Sequence, residues 1–174
     1  TAIDLTNGKQ LWKKAEPGGA DQQLEGRYIG TWSTPVIANA GGRTIDAPSA
    51  DLTRDQWAEG IDLNCTSVFL CVKHAAPRLP DGSGRIILTS SISARSGATP
   101  GMIIYAAAKG ALDNMTRNWA KEFAARGITV NAIAPGVIRT RIHERFTPPD
   151  EYQRLIERVP LGRDGLPEDC VGAV

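Results

Sequence analysis

RIILTSSISARSGATPGMIIYAAAKGALDNMTRNWAKEFAARGITVNAIAPG, residues 85–136, sets two short apolar runs on either side of one long helical pattern. Arg85 to Ser90, centred on Ile86-Ile87-Leu88, reads as a buried strand that runs into a Ser-rich loop. A long helix starts near Tyr105, with Leu112, Met115, Trp119 and Phe123 on one face at steps of three and four, and Gly127 ends it. Ile128 to Ala134 is the next strand, broken by Pro135-Gly136. Strand, helix and strand in this rhythm predict neighbouring parallel strands.

The pattern continues outward in both directions. Val36-Ile37-Ala38 is a short apolar run that ends at Asn39-Ala40-Gly41-Gly42. Asp51 can cap a helix whose apolar positions Trp57, Ile61, Leu63, Val68, Phe69, Val72 and Ala76 roughly follow helical spacing, with an end before Pro77 or Pro80. Downstream, a polar helix around Asp150 to Arg158 leads to Pro160, and Pro167 to Val174 reads as the first turns of another. Before residue 36 the chain is rich in Gly, Gln, Trp and Lys, with turn signals at Asn7-Gly8 and Pro17-Gly18-Gly19, which predicts short strands and loops. The expected organisation is an α/β domain over 36–174 behind an N-terminal β/irregular segment over 1–35.

Apolar content of 41% with 22% charged residues is ordinary for a chain that buries a core. The formal net charge of +1, spread without a dense basic run, leaves no electrostatic footprint for nucleic acid or an anionic membrane. Cys65, Cys71 and Cys170 are odd in number and lack metal-ligand spacing, so reduced thiols in a cytoplasmic protein are expected, with no metal site. No apolar stretch is long enough to span a bilayer, and the start carries no signal-peptide pattern.

Tyr105-Ala106-Ala107-Ala108-Lys109 places a phenol and an ammonium at i and i+4, one turn apart on the same helix face. A nearby cation favours a phenolate, which readies a phenol to exchange a proton near neutral pH. Taken alone, the pair also fits a solvated helix face. Fourteen residues upstream, Ser91 lies in Thr89-Ser90-Ser91-Ile92-Ser93 at the carboxyl end of the preceding strand. Ligands of open parallel sheets bind outside those ends, and Pro135-Gly136 opens the same edge.

Asn39-Ala40-Gly41, Asn64 in Ile61-Asp62-Leu63-Asn64, Ser91, Tyr105-x-x-x-Lys109 and Asn131-x-x-x-Pro135-Gly136 occur in the order and approximate spacing of the short-chain dehydrogenase/reductase family. Residues 36 to 174 resemble the catalytic part of that family. The resemblance implies a partial Rossmann-like, doubly wound parallel sheet and an oxidoreductase that uses NAD or NADP to interconvert an alcohol and a carbonyl. It implies Tyr105 as general acid/base, with Lys109 favouring its phenolate and hydrogen-bonding the nicotinamide ribose. Ser91 would hold and polarise the substrate oxygen, with Ser93 as a further substrate contact, and Asn64 would support a water that links Lys109 to solvent. Asn39, Ala40 and Gly41 would line the cofactor, and Pro135, Gly136, Ile138 and Thr140 would face its nicotinamide end. Residues 138 to 160, including His143, Glu144, Arg145 and Phe146, correspond to the family's variable substrate lid. The helices over 51–76 and 103–126 would pair with those of a second subunit in a homo-oligomer.

The family's phosphate loop, TGxxxGxG, belongs farther upstream of Asn39 than the 38 residues that precede it here. The nearest imitation, Gly26-Arg27-Tyr28-Ile29-Gly30-Thr31-Trp32, puts Trp at the last required glycine, where a side chain obstructs the approach of a pyrophosphate to backbone N–H groups. Ala2-Ile3-Asp4-Leu5-Thr6-Asn7-Gly8-Lys9-Gln10-Leu11-Trp12 instead resembles the A-x-D-x-x-x-G-x-x-x-W repeat of quinoprotein β-propellers, and an ordinary Asn-Gly hairpin is the other reading. The expectation is a propeller fragment joined to a dehydrogenase domain that lacks its start. The alternatives to an active enzyme are an inactive fragment or a helix-mediated interaction module.

Overall fold

The computed structural model describes residues 46–140, 143–144 and 147–171, together with the backbone of 2–3 and 10–12. The short strands β1 (Ala2–Ile3) and β2 (Gln10–Trp12) pair antiparallel. The expected strand at Val36–Ala38, the cofactor candidates Asn39, Ala40 and Gly41, and the rest of the propeller-like segment lie outside the described residues.

A Thr-x-x-Gln box starts α1 (Arg54–Ile61): Thr53 Oγ1 accepts from the Gln56 N–H at 3.2 Å, and Gln56 Oε1 accepts from the Thr53 N–H at 2.9 Å. Asp51, expected as the cap, instead closes a 3₁₀ turn, Ser49–Asp51, because the reciprocal pair two residues on satisfies the first helical donors. The expected single helix is interrupted by a π turn over Asp62–Thr66 before α2 (Ser67–Ala75). A π turn holds one residue more than the α turn it replaces and rotates the helix beyond it. That shift corrects the expected apolar stripe: Val68, Val72 and Ala76 are buried, whereas Trp57 is 42% and Phe69 44% exposed.

Strand β3 (Arg85–Thr89) buries Ile86 and Leu88 on alternate positions. Its path leads through a short helix, α3 (Ser93–Ser96), into the long α4 (Ile103–Glu122), which crosses back to β4 (Thr129–Ile133). β3 and β4 are parallel, in register from Arg85↔Thr129 to Thr89↔Ile133, and the molecule is an α/β fold with a parallel sheet. Leu112 and Trp119 of α4, Val68 and Val72 of α2, and Ile86, Leu88 and Val130 of the strands form one core, with Met115 and Phe123 packed against it. α4 starts two residues before Tyr105, and its end passes through a 3₁₀ turn to Gly127 at φ +64°. A Cβ at Gly127 would also lie 2.9 Å from Gly82 Cα, so conformation and space both call for glycine there. Beyond β4 come α5 (Pro149–Glu157) and α6 (Glu168–Val171), with an isolated parallel bridge between Ile138 and Gly165.

Gly60 of α1 lets that helix approach α4, since a Cβ there would collide with the side chain of Ile104, which is 3% exposed. Ile104 is β-branched and stiff, so overpacking outweighs the gain in helix propensity that alanine brings. Gly60→Ala is expected to lower stability by about 1–2 kcal/mol in urea unfolding. An unchanged midpoint would mean that α1 can move off α4 freely.

Candidate active site

The carboxyl ends of β3 and β4 stay joined beyond the strands. The Ser90 N–H donates to the Ile133 carbonyl at 2.8 Å and the Ile92 N–H to the Pro135 carbonyl at 3.1 Å. This continued ladder draws the Ser-rich loop and the Pro135-Gly136 turn to one edge. Around Gly136 an added Cβ would meet nothing within 4 Å, so the turn borders open space.

Lys109 comes to the same edge from α4. It is 2% exposed, and its Nζ donates to the Thr89 carbonyl at the end of β3, 2.8 Å away. The ammonium also lies 5.5 Å from the centroid of the half-buried Tyr105 ring, as the i, i+4 spacing predicts. Burial pushes Lys109 down to about 8. Its described hydrogen bond uses one of three ammonium donors, which leaves two for a ligand.

Ser91 is 8% exposed, and its Oγ accepts from the N–H of Ser93, the half-buried first residue of α3. Asn64 sits in the π turn, 5% exposed, where its Nδ2 donates to the Gly60 carbonyl at 3.1 Å. The π turn packs against α4. Among the described residues, Asn64 Oδ1 and Thr89 Oγ1 are the buried side-chain atoms that lack a partner. Buried polar atoms are normally satisfied, so each has an acceptor or donor position left for water or ligand.

The structure thus gathers Ser91, Lys109, Tyr105 and Pro135 near one end of the parallel strands. Ile138 and Thr140 lie farther along, where Ile138 bridges to Gly165 and the Thr140 carbonyl accepts from the His143 N–H at 3.1 Å. Among the described residues no hydrogen bond joins Thr140 to Tyr105 or Lys109.

Two supports escaped the sequence reading. Ser90, 2% exposed, donates from Oγ to Asp113 Oδ1 at 2.5 Å, which fastens the loop beside Ser91 to α4. Asp113 lies four residues after Lys109, so it shares the face of the Tyr–Lys pair, and that spacing was the available signal. The Thr89 carbonyl is a backbone group, and no residue type announces it.

Residues 33–174 match the family model described as enoyl-(acyl carrier protein) reductase. The 3-oxoacyl-(acyl-carrier-protein) reductase of Synechocystis sp. is 39% identical over 176 residues, covering 99% of this chain and 69% of the relative. Among solved structures, a blue fluorescent protein from a metagenomic library in complex with NADPH superposes with a TM-score of 0.67 at 33% identity, covering 76% of this chain and 52% of that one. A mutant of a Serratia marcescens short-chain dehydrogenase/reductase gives a TM-score of 0.69 at 30% identity, covering 78% of this chain and 54% of that one. The chain spans about half the length of these solved chains. The alignment with the Synechocystis reductase takes in nearly all of the stretch that resembles a propeller repeat, so it lends that resemblance no support.

Proposed function

The chain belongs to the short-chain dehydrogenase/reductase family, and on that premise we propose that it carries the proton-handling site of an NADP(H)-dependent carbonyl reductase. The observation that carries the reading is Lys109, buried, tied to the Thr89 carbonyl and set 5.5 Å from the Tyr105 ring at the open end of the parallel strands. Tyr105 gives its proton to the substrate carbonyl oxygen, which Ser91 holds and polarises, with Ser93 as a further substrate contact. Lys109 favours the phenolate left behind, and Asn64, whose buried Oδ1 lacks a partner among the described residues, would support a water that links the ammonium to solvent for reprotonation.

The residues fit a nicotinamide cofactor: Lys109 keeps two donors for a ribose hydroxyl, and the Gly136 turn borders open space. Asn39, Ala40 and Gly41 would line it, with Pro135, Gly136, Ile138 and Thr140 toward the nicotinamide. When bound, that cofactor supplies the hydride. The solved relative with NADPH favours NADP(H), with NAD as the alternative. The Synechocystis reductase favours a 3-oxoacyl thioester as substrate, whereas the family model carries the name of an enoyl reductase. The proposal divides the chain into a segment over residues 1–35 and an oxidoreductase domain over 36–174.

Spectrophotometric NADPH oxidation with a 3-oxoacyl thioester and with an enoyl thioester separates these substrates. Turnover of the 3-oxo compound alone is the expected result. Turnover of the enoyl compound alone would overturn the carbonyl reading, because no alcohol oxygen then needs the Tyr105 proton.

A second reading, association through the helices over 51–76 and 103–126, is favoured by Trp57, Phe69 and Ile103, which leave 42%, 44% and 42% of their surface exposed along them. A homo-oligomer built on those helices is compatible with the enzyme and, by itself, with an inactive interaction module. Among the described residues no helix is long and apolar enough to cross a membrane.

A further inference from the structure

Asp164 is a buried carboxylate that the reaction does not use. It is 5% exposed and accepts three hydrogen bonds from two distant segments. Arg139 clamps it with both arms, Nε to Oδ2 at 2.8 Å and Nη2 to Oδ1 at 2.9 Å, and the Tyr152 hydroxyl donates to Oδ2 at 2.6 Å. Arg139 stands between Ile138 and Thr140, in the segment just after Pro135-Gly136. Tyr152 stands on α5, its ring 5.0 Å from that of His143, whose Nδ1 is 3.0 Å from Thr147 Oγ1. The chain is also pinned next to Asp164, where the Gly165 N–H donates to the Val137 carbonyl and the Arg139 N–H to the Gly165 carbonyl, each at 2.8 Å.

α5 forms one wall of an open cleft of about 310 Å³, lined on its side by Leu155 and the charged Asp150, Glu151, Arg154 and Arg158, with Thr99, on the loop leading into α4 and Tyr105, on the other. The amphipathic α5 buries no residue fully, so packing alone holds it weakly. A charge-assisted bond from Arg139 and a short one from Tyr152 are therefore the principal ties between this wall and the segment after β4.

We propose that Asp164 is a positioning residue: through Tyr152 and Arg139 it locks α5 to the Pro135–Thr140 segment and so fixes the wall against which the substrate is held. The proposal rests on the carbonyl-reductase reading for its kinetic consequence, but not for the lock itself. Isosteric changes dissect it. Tyr152→Phe keeps the ring and its contact with His143 but removes the donor, and Asp164→Asn keeps the shape but removes the charge.

Hydrogen exchange of the backbone amides is measured first, on the full chain. Both variants are expected to exchange the amides of Pro149–Glu157 about tenfold faster or more, with those of Ile103–Glu122 unchanged. In steady-state kinetics, Tyr152→Phe is expected to raise the substrate KM roughly 5- to 20-fold with kcat within about threefold, the signature of lost ground-state holding. Unchanged exchange over α5 overturns the lock. Faster exchange with an unaltered KM overturns the link to substrate. Faster exchange in a chain that turns over no carbonyl substrate supports the lock and sinks the carbonyl-reductase reading instead, so the two failures are distinguishable.

Discussion

Tyr105→Phe is expected to lower kcat for carbonyl reduction by about 10³-fold or more while leaving the fold and cofactor affinity intact. The ring is half-buried, and the phenylalanine keeps both its packing and its contact with the Lys109 ammonium, 5.5 Å from the centroid. Only the proton is removed. General acid catalysis by one positioned group contributes roughly 10²–10⁴-fold, and the Lys109 ammonium, the other proton carrier at this edge, is turned to the Thr89 carbonyl. His143 cannot serve, since its ring is engaged with Thr147 and Tyr152 on the α5 side. Stopped-flow or steady-state rates at saturating NADPH decide the matter, with circular dichroism as the control for folding. A variant that retains a tenth of the activity would show that Tyr105 is a wall of the site and that the proton comes from elsewhere.

The second large effect concerns Lys109 and has opposite signs for activity and stability. Burial holds its titration at about 8 instead of 10.5, which corresponds to roughly 3 kcal/mol of strain in keeping the ammonium charged inside the fold. Replacing it by methionine removes that strain and leaves the Thr89 carbonyl without its donor, a loss of about 1–3 kcal/mol. Lys109→Met should therefore be as stable as the parent or about 1 kcal/mol more stable at pH 7, and slower by about 10²-fold or more. Below pH 8 the lysine is charged in the folded and unfolded chain alike, so the strain is fully present. Between pH 8 and 10.5 the unfolded chain binds more protons than the folded one, so parental stability rises with pH. The advantage of the variant should accordingly shrink as pH climbs from 7.5 to 9.5 in urea unfolding. A gap that stays constant over that range would show that the ammonium is not strained by burial.

The parts of the fold legible in the sequence are those governed by local periodicity. The short apolar run Ile86-Ile87-Leu88 predicts β3 as a buried strand, and the three- and four-residue steps from Leu112 to Phe123 predict α4, because burial on one side of a helix leaves a repeating signature. The Tyr105–Lys109 pair was legible for the same reason, being set by one helical turn. The π turn at Asp62–Thr66 was not, since inserting one residue into a helical ladder leaves the composition unchanged and alters only the phase, which shows as the misplaced Trp57 and Phe69. Its structural trace is Asn64, whose Nδ2 donates to the Gly60 carbonyl in the interrupted ladder. The Asp164 lock was illegible because its partners sit 25 and 12 residues away and meet only after the segment beyond β4 has folded back. In the sequence Asp164 is one more charged residue in a polar stretch, and only its burial marks it out.

Whether the gathered residues form a working nicotinamide site is decided by a fluorescence titration of the folded chain with NADPH and with NADH. Saturable enhancement of nicotinamide fluorescence with NADPH, weaker enhancement with NADH, and a marked loss of affinity in Lys109→Met are expected. Absence of binding by either nucleotide to a chain whose circular dichroism shows it folded would contradict the claim and leave Ser91, Tyr105 and Lys109 as inherited but idle residues.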